Sequence, residues 1–351
     1  MKTINHTGVV FMGEANYKPL TASEIGALWS TYMLNSMTST VFSYGLGYIQ
    51  DQDVRTHVQA AYDQAIQIMD DLKSIFAQEN FPVPIGFTEK DVNLKAPPLF
   101  DDTFYLSYNN TMGKLGIPRY GRFLSVSTRA DIRTFFSNCL SNASMQFNQT
   151  TEALLSKGLL IRSPYISVPQ KAEFVKNKKY MDGYSLFSDK RPLNAVEISH
   201  LNANIQTNSI GFMVCIGFGQ TAKSQYVRDY MLKGKDIAKK HIKMFSDKLL
   251  ESDVQSPMGW DESAKNSTEA AFSDKLMMYH LSLVSAANVE AYGLSVAESQ
   301  RSDLSLIYSR LIAEVGRFAK EGADIMIKNG WLEEVPQADN RDQLIKKRTQ
   351  K

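Results

Sequence analysis

The chain is short of several things, and each shortage removes a class of protein. Of 351 residues only two are cysteine, Cys139 and Cys215. A disulfide framework and a cysteine-only metal site are both ruled out, and a reducing interior suits the composition. No stretch reaches the roughly 18 consecutive apolar residues of a membrane span. The opening MKTINHTGVVFMGEANYK has no long apolar run, so no signal peptide is expected and the cytoplasm is the expected location. Charge of either sign is not in excess. The formal net charge is +2, which gives a general nucleic-acid-binding role no support. There is no phosphate-binding glycine loop and no nucleophile–base set. Both cysteines lie in apolar helical stretches, where a thiol is usually inert.

What the chain does have is an internal repeat. A shift of 173 residues lays Pro19-Leu20-Thr21-Ala22-Ser23-Glu24-Ile25 on Pro192-Leu193-Asn194-Ala195-Val196-Glu197-Ile198. It also pairs Asn35-Ser36 with Asn208-Ser209, Val54-Arg55 with Val227-Arg228, and Pro84-Ile85-Gly86-Phe87 with Pro257-Met258-Gly259-Trp260. Further on a shift of 172 takes over. Tyr120-Gly121 then meets Tyr292-Gly293, Arg129 and Asp131 meet Arg301 and Asp303, and Gly158 meets Gly330. A single deletion keeps the whole comparison in register, so the chain is a tandem duplication. Each copy is long enough for a core of its own.

Each copy reads as four long helices. Val227, Met231, Ala238, His241, Phe245 and Leu249 recur at helical spacing, as do Leu276, His280, Val284, Ala287, Ala291 and Leu294. The first copy predicts helices near 22–49, 52–79, 101–126 and 129–157. Thr21-x-x-Glu24 is a capping box, and Thr128-x-x-Asp131 has the same form. Gly158 and Gly330 sit where helix-ending glycines belong. Pro118 should kink or split the third helix. Gly217-Phe218-Gly219 reads as close helix packing. The longest connection, between helices 2 and 3, suits a bundle with one crossover. An up-and-down bundle with the loop packed across its end accommodates it equally.

The expected organisation is an N-terminal arm over 1–18, a first bundle over 19–164, a linker over 165–190, a second bundle over 191–336 and a basic tail over 337–351. The tail reads as a solvated, frayed end.

The repeat start Pro-Leu-x-Ala-x-Glu-Ile, the run Val227-Arg228-Asp229-Tyr230 and the segments Lys235–Ile242 and Phe272–His280 resemble a family found in spore-forming bacilli. The closing Asn329-Gly330-Trp331-Leu332-Glu333 does so too. That family is a domain of unknown function placed among ferritin-like folds. The resemblance covers nearly the whole chain. It implies an all-α fold of two tandem ferritin-like four-helix bundles, and no activity. On fold grounds there is a more distant similarity to ferritin-like spore-coat proteins.

A ferritin-like bundle raises the question of a dimetal carboxylate site. That site needs a Glu on each of two helices and Glu-x-x-His on the other two. The pattern is missing: Ala238 stands three residues before His241, and Glu314-x-x-Arg317 and Glu321-x-x-Asp324 have no histidine. The second copy still places His200, His241 and His280 on three different helices, with Glu197 one turn before His200. In an antiparallel up-and-down bundle, the start of helix 1, the end of helix 2, the start of helix 3 and the end of helix 4 share a pole. His200, His241, His280, Glu197, Glu321 and Asp324 would then converge as ligands for iron, manganese or zinc. The competing reading is plainer. Glu197 follows Asn194 by three residues and caps the helix, as Glu24 does in the first copy. Inward histidines are commonly core residues. The first copy has Ala27, Ile68 and Tyr108 at the histidine positions, so it holds no such site.

The expected function is a non-enzymatic structural or interaction protein associated with sporulation. Its two copies would pack face to face as an internal pseudo-dimer, open to a protein partner or a homo-oligomer. The alternative is a metal-binding protein or metal-dependent oxidoreductase with its site in the second bundle. A small-ligand cavity within one bundle is a third reading.

Overall fold

The computed structural model describes residues 18–183, 190–257 and 263–348. Residues 1–17 of the expected arm, and Met258–Trp260 opposite Ile85–Phe87, lie outside the described residues. The described chain is all-α. The first half holds α1 (Ala22–Leu46), α2 (Gln52–Gln78), α3 (Asp102–Ser125) and α4 (Ala130–Ser156). The second holds α5 (Ala195–Thr221), α6 (Gln225–Leu250), α7 (Asp274–Glu298) and α8 (Ser302–Lys328). The two halves carry the same four helices in the same order, as the duplication requires. A short α9 (Arg341–Arg348) lies in the tail, so the tail is partly helical, and its described side chains are exposed. Residues 165–177 form no helix or strand and are mostly exposed.

Local signals explain the helix ends. Thr21 and Asn194 cap α1 and α5 in reciprocal boxes with Glu24 and Glu197. Gly158 and Gly330 take φ of +68° and +67°, a region open to glycine without a Cβ penalty. There the N–H of Leu159 and of Trp331 reach back to the carbonyls of Leu154 and Met326. One expectation fails, and of a second the stronger form does. Thr128 does not cap α4: the cap residue is Arg129, whose side chain makes no capping bond. The donors of Thr128 and Arg129 go to Glu24 of α1 instead, so a carboxylate from another helix does the capping. Nor does Pro118 split α3, which is continuous through it. Gly113 and Gly116 let α3 lie directly on Phe147 and Ala143 of α4. That packing holds the helix despite one lost hydrogen bond.

Carboxylates at the helix starts reveal the path of the chain. Glu24 Oε1 accepts the N–H groups of Thr128 (2.8 Å) and Arg129 (2.9 Å), which joins the start of α1 to the start of α4. Asp102 Oδ2 accepts the N–H groups of Gln50 (2.9 Å) and Asp51 (2.6 Å), which joins the start of α3 to the start of α2. The helices therefore run up, down, down and up, and residues 79–101 cross back along the whole bundle. The second half repeats each contact. Glu197 accepts from Gln300 and Arg301, and Asp274 accepts from Lys223 and Ser224 (both 2.9 Å). The crossover arrangement is thus the one adopted, in both copies.

The crossovers also join the halves. Asn93 N–H donates to Ala271 O, and Lys265 N–H donates to Leu99 O. Ser273 N–H donates to Asp91 O, and Asp101 N–H donates to Ser263 O. Each bond in these two pairs is the other shifted by 172 residues. Val92 bridges Phe272 and Phe100 bridges Ala264 in the same reciprocal way. The contact is isologous, as in a two-fold dimer, but within one chain. Tyr108 and His280 are equivalent positions and meet each other, so they mark the pseudo-axis. Gly217 is closely packed, but against the crossover rather than a helix: a Cβ there would fall 2.4 Å from the ring of Phe100. One large apolar cluster, including Met37, Phe42, Phe100, Phe104, Phe218, Phe272 and Met277, spans both halves.

Glu24 and Glu197 are fully buried. For Glu24, burial alone would raise the carboxyl, but the donors of Arg129, Thr21 and Thr128 outweigh it and hold it down to about 2. Its stabilisation is complete above pH 4.5 and is lost as pH falls toward 2. Glu24→Ala should cost about 3 kcal/mol at pH 7 by stranding these donors, and should flatten the acid limb of urea unfolding over that window. A cost below about 0.5 kcal/mol would mean the carboxylate does not join α1 to α4.

Candidate functional site

The centre of the second bundle carries a polar layer drawn from all four helices. Helical spacing puts Asn204 and Asn208 on the inner face of α5. Ser285, Asn288, Tyr292 and Ser295 lie on α7, His241 on α6 and Glu314 on α8. Asn204 Nδ2 donates to Ser295 Oγ (3.0 Å), and Asn208 Nδ2 donates to the Tyr292 hydroxyl (2.8 Å). His241 Nδ1 lies 2.9 Å from that hydroxyl, and its Nε2 lies 3.4 Å from Glu314 Oε2. Tyr292 accepts from Asn208, so its own proton points to His241 Nδ1. His241 is then neutral, with its remaining N–H on Nε2 toward Glu314. Burial lowers the imidazole pKa against the pull of Glu314. Burial would raise the Glu314 carboxyl, but Lys240 and His241 hold it low.

Beside this chain lies a cavity of about 30 Å³, lined by residues including Asn208, Cys215, Ala238, Ser285, Asn288 and Val315. The Oδ1 atoms of Asn208 and Asn288 are buried without a hydrogen-bond partner. The space suits a water molecule rather than an organic ligand. In the first half Gly113 and Gly116 occupy the positions of Ser285 and Asn288, and α3 closes on α4. The Asn–Tyr pair is common to both halves: Asn35 Nδ2 lies 3.4 Å from the Tyr120 hydroxyl. His241 and Glu314 belong to the second half alone, with Ile68 and Asn142 as their counterparts.

The six residues expected to converge do not meet. His200 pairs with Glu298 at the α5 pole (2.8 Å). Glu197 is occupied by Arg191 (2.7 and 2.8 Å) and by backbone donors. His241 sits in the polar layer. His280 lies on the pseudo-axis, its Nε2 3.1 Å from Tyr108 Oη. Glu321 pairs with Lys233, and Asp324 with Lys320, on the surface. The reason is the crossover. It brings the end of α7, not its start, to the pole of His200, so His280 and the end of α8 lie at the far side. Among the described residues no group of three or more His, Cys, Asp or Glu is placed to hold a metal ion. Sequence reasoning missed Asn208 and Tyr292 as site residues. Their signal was present, since both are matched across the repeat at positions where a polar residue interrupts an apolar face. Both cysteines are buried, and burial pushes each thiol up to about 12.

A family described as a protein of unknown function, DUF3231, matches twice, over residues 11–172 and 181–344. No curated protein matches the chain. A solved structure of a candidate spore coat protein from Bacillus halodurans is 15% identical, covering 43% of this chain and 98% of that chain at a TM-score of 0.41.

Burial lowers the His280 pKa from 6.5 to about 4. Between those values the unfolded chain takes up a proton that the folded chain refuses, so stability falls as pH drops through the window. The fall amounts to about 3 kcal/mol for this group. His280→Phe should reduce that slope in urea unfolding between pH 7 and 4, while costing about 1–2 kcal/mol at pH 7 through the stranded Tyr108 hydroxyl. An unchanged slope would show that His280 does not sit as a buried neutral imidazole.

Proposed function

We propose, for a chain that belongs to the DUF3231 family of proteins of unknown function, a non-enzymatic structural or interaction role as a pair of fused ferritin-like bundles, associated with sporulation. The observation that carries this reading is the reciprocal exchange of crossover segments. It turns two bundles into one body whose polar residues mostly serve its own assembly. The single crossover in each half supports the ferritin-like classification. Fold alone does not fix function. The link to sporulation rests on the sequence resemblance, and it supports a location in the cytoplasm or with the spore. The expected company is a protein partner or a further copy of the chain.

The alternative is a metal-binding protein or oxidoreductase. The pair His241 and Glu314 supports it, as an imidazole and a carboxylate in one bundle centre. Two such ligands need others to hold iron, manganese or zinc.

Elemental analysis of protein purified without a histidine tag separates the readings, run beside His241→Ala and Glu314→Ala variants. The proposal expects substoichiometric metal that the substitutions leave unchanged. Near-stoichiometric metal that disappears in both variants would replace it with the alternative. Fractionation of sporulating cells, followed with an antibody to the chain, tests the second part. Recovery only from vegetative cells would end the sporulation link.

A further inference from the structure

The two-fold relation of the halves extends to the outside of the molecule, and there the symmetry fails in one respect. The contacts between halves come from α1, α3, α5, α7 and the segments joining or following helices. The pairs α2/α4 and α6/α8 form outer layers that face away from each other. Equivalent by repeat, these two layers differ in charge. α6 carries seven basic and three acidic side chains, whereas α2 carries four Asp against Arg55 and Lys73. Lys235, Lys239 and Lys243 form a ridge one turn apart. Tyr62, Ile66 and Asp70 occupy those positions in the first half.

The outer grooves differ to match. Between α6 and α8, ion pairs from Lys233 to Glu321 and from Lys240 to Glu314 span the groove. Between α2 and α4 the groove has a volume of about 550 Å³, and apolar side chains such as Ala61, Phe135 and Met145 share its lining with carboxylates and amides, including Asp63, Asp71, Gln64 and Asn138. Among the described residues Asp63 and Asp71 accept from Gln59 and Gln67 and pair with no cation. Such a lining offers acceptors spaced along a helix, and ammonium groups carry donors and no acceptor.

We propose that chains associate head to tail, with the Lys235–Lys239–Lys243 ridge of one chain seated along the α2/α4 groove of the next. The complementary faces lie on opposite sides of the molecule. Each added chain therefore exposes both faces again, and the contact is heterologous and open, giving chains of molecules rather than a closed dimer. An interaction between exposed charges is screened by salt. This inference rests on the structural role proposed above and names its partner, a second copy of this chain.

Sedimentation of the full chain tests it, with two charge-reversed variants at exposed or half-exposed positions that leave the core intact. One carries Asp63→Lys and Asp71→Lys, and the other Lys235→Glu, Lys239→Glu and Lys243→Glu. The weight-average mass of the wild type should rise severalfold with concentration where the screening length is about 10 Å, at about 0.1 M salt. It should return to the 39.5 kDa monomer where that length is about 3 Å, at about 1 M salt. Each variant alone should stay monomeric, and an equimolar mixture should associate again, because each then supplies the face the other lacks. A wild type that is monomeric at every salt overturns the proposal. So does loss of association in the α2 variant alone with the α6 variant unaffected, which would mean a symmetric contact. Failure here leaves the structural role to another partner, while resident metal would remove that role without touching this result.

Discussion

A helix cannot satisfy its own first N–H groups, and in this protein the solution decides the fold. Glu24 and Glu197 each cap their own helix and then reach the start of the fourth helix of the same half. Asp102 and Asp274, the first residues of the third helix in each half, reach the start of the second helix, while Asp101 and Ser273 do the capping. Four carboxylates, three of them buried and Asp102 half-buried, thus tie helix starts together in pairs. Only an up-down-down-up order brings those starts to common poles. The long crossover follows, and with it the surface through which the halves meet. Were the carboxylates replaced by apolar groups, the bundle would keep its core but lose what distinguishes this order from a simple up-and-down one.

Across the pseudo-axis the crossover segments use matched backbone bonds, while side-chain pairs such as Arg122 with Glu290 have no counterpart. Divergence is concentrated outside the crossovers. At the axis itself Tyr108 faces His280, a pair of equivalent positions with different side chains. Two tyrosines there would offer a hydrogen bond as well, whereas the imidazole adds a group that resists protonation in the core. In the bundle centres, Gly113 and Gly116 close the first half while Ser285 and Asn288 keep the second slightly open. The outer layers have moved furthest. One became a ridge rich in lysine, the other a groove lined in part by amides and carboxylates, because solvent-facing positions tolerate charge changes that a packed interface does not.

The candidate site was partly legible beforehand. His241 on an apolar stripe was bound to face inward, and the structure places it there. Its partners were not legible as partners. Tyr292 and Asn208 stood out only as repeat markers, and nothing local says that residues far apart in the chain share a proton. Grouping His200 with His280 depended on the direction of α7, which no periodicity reports. The same is true of Thr128, whose motif promised a cap that Glu24 supplied from across the bundle.

The sequence by itself determined the duplication, the eight long helices and most of their ends. These depend on the spacing of apolar side chains, on capping residues and on glycines at left-handed positions, all of which act within a few residues. It also determined which faces would be buried. The tertiary structure alone decided the relative direction of the helices, the reciprocal pairing of the crossovers and the separation of the six polar candidates. Those outcomes depend on contacts between residues distant in the chain, where a buried carboxylate chooses among several possible helix starts and only the assembled core selects one.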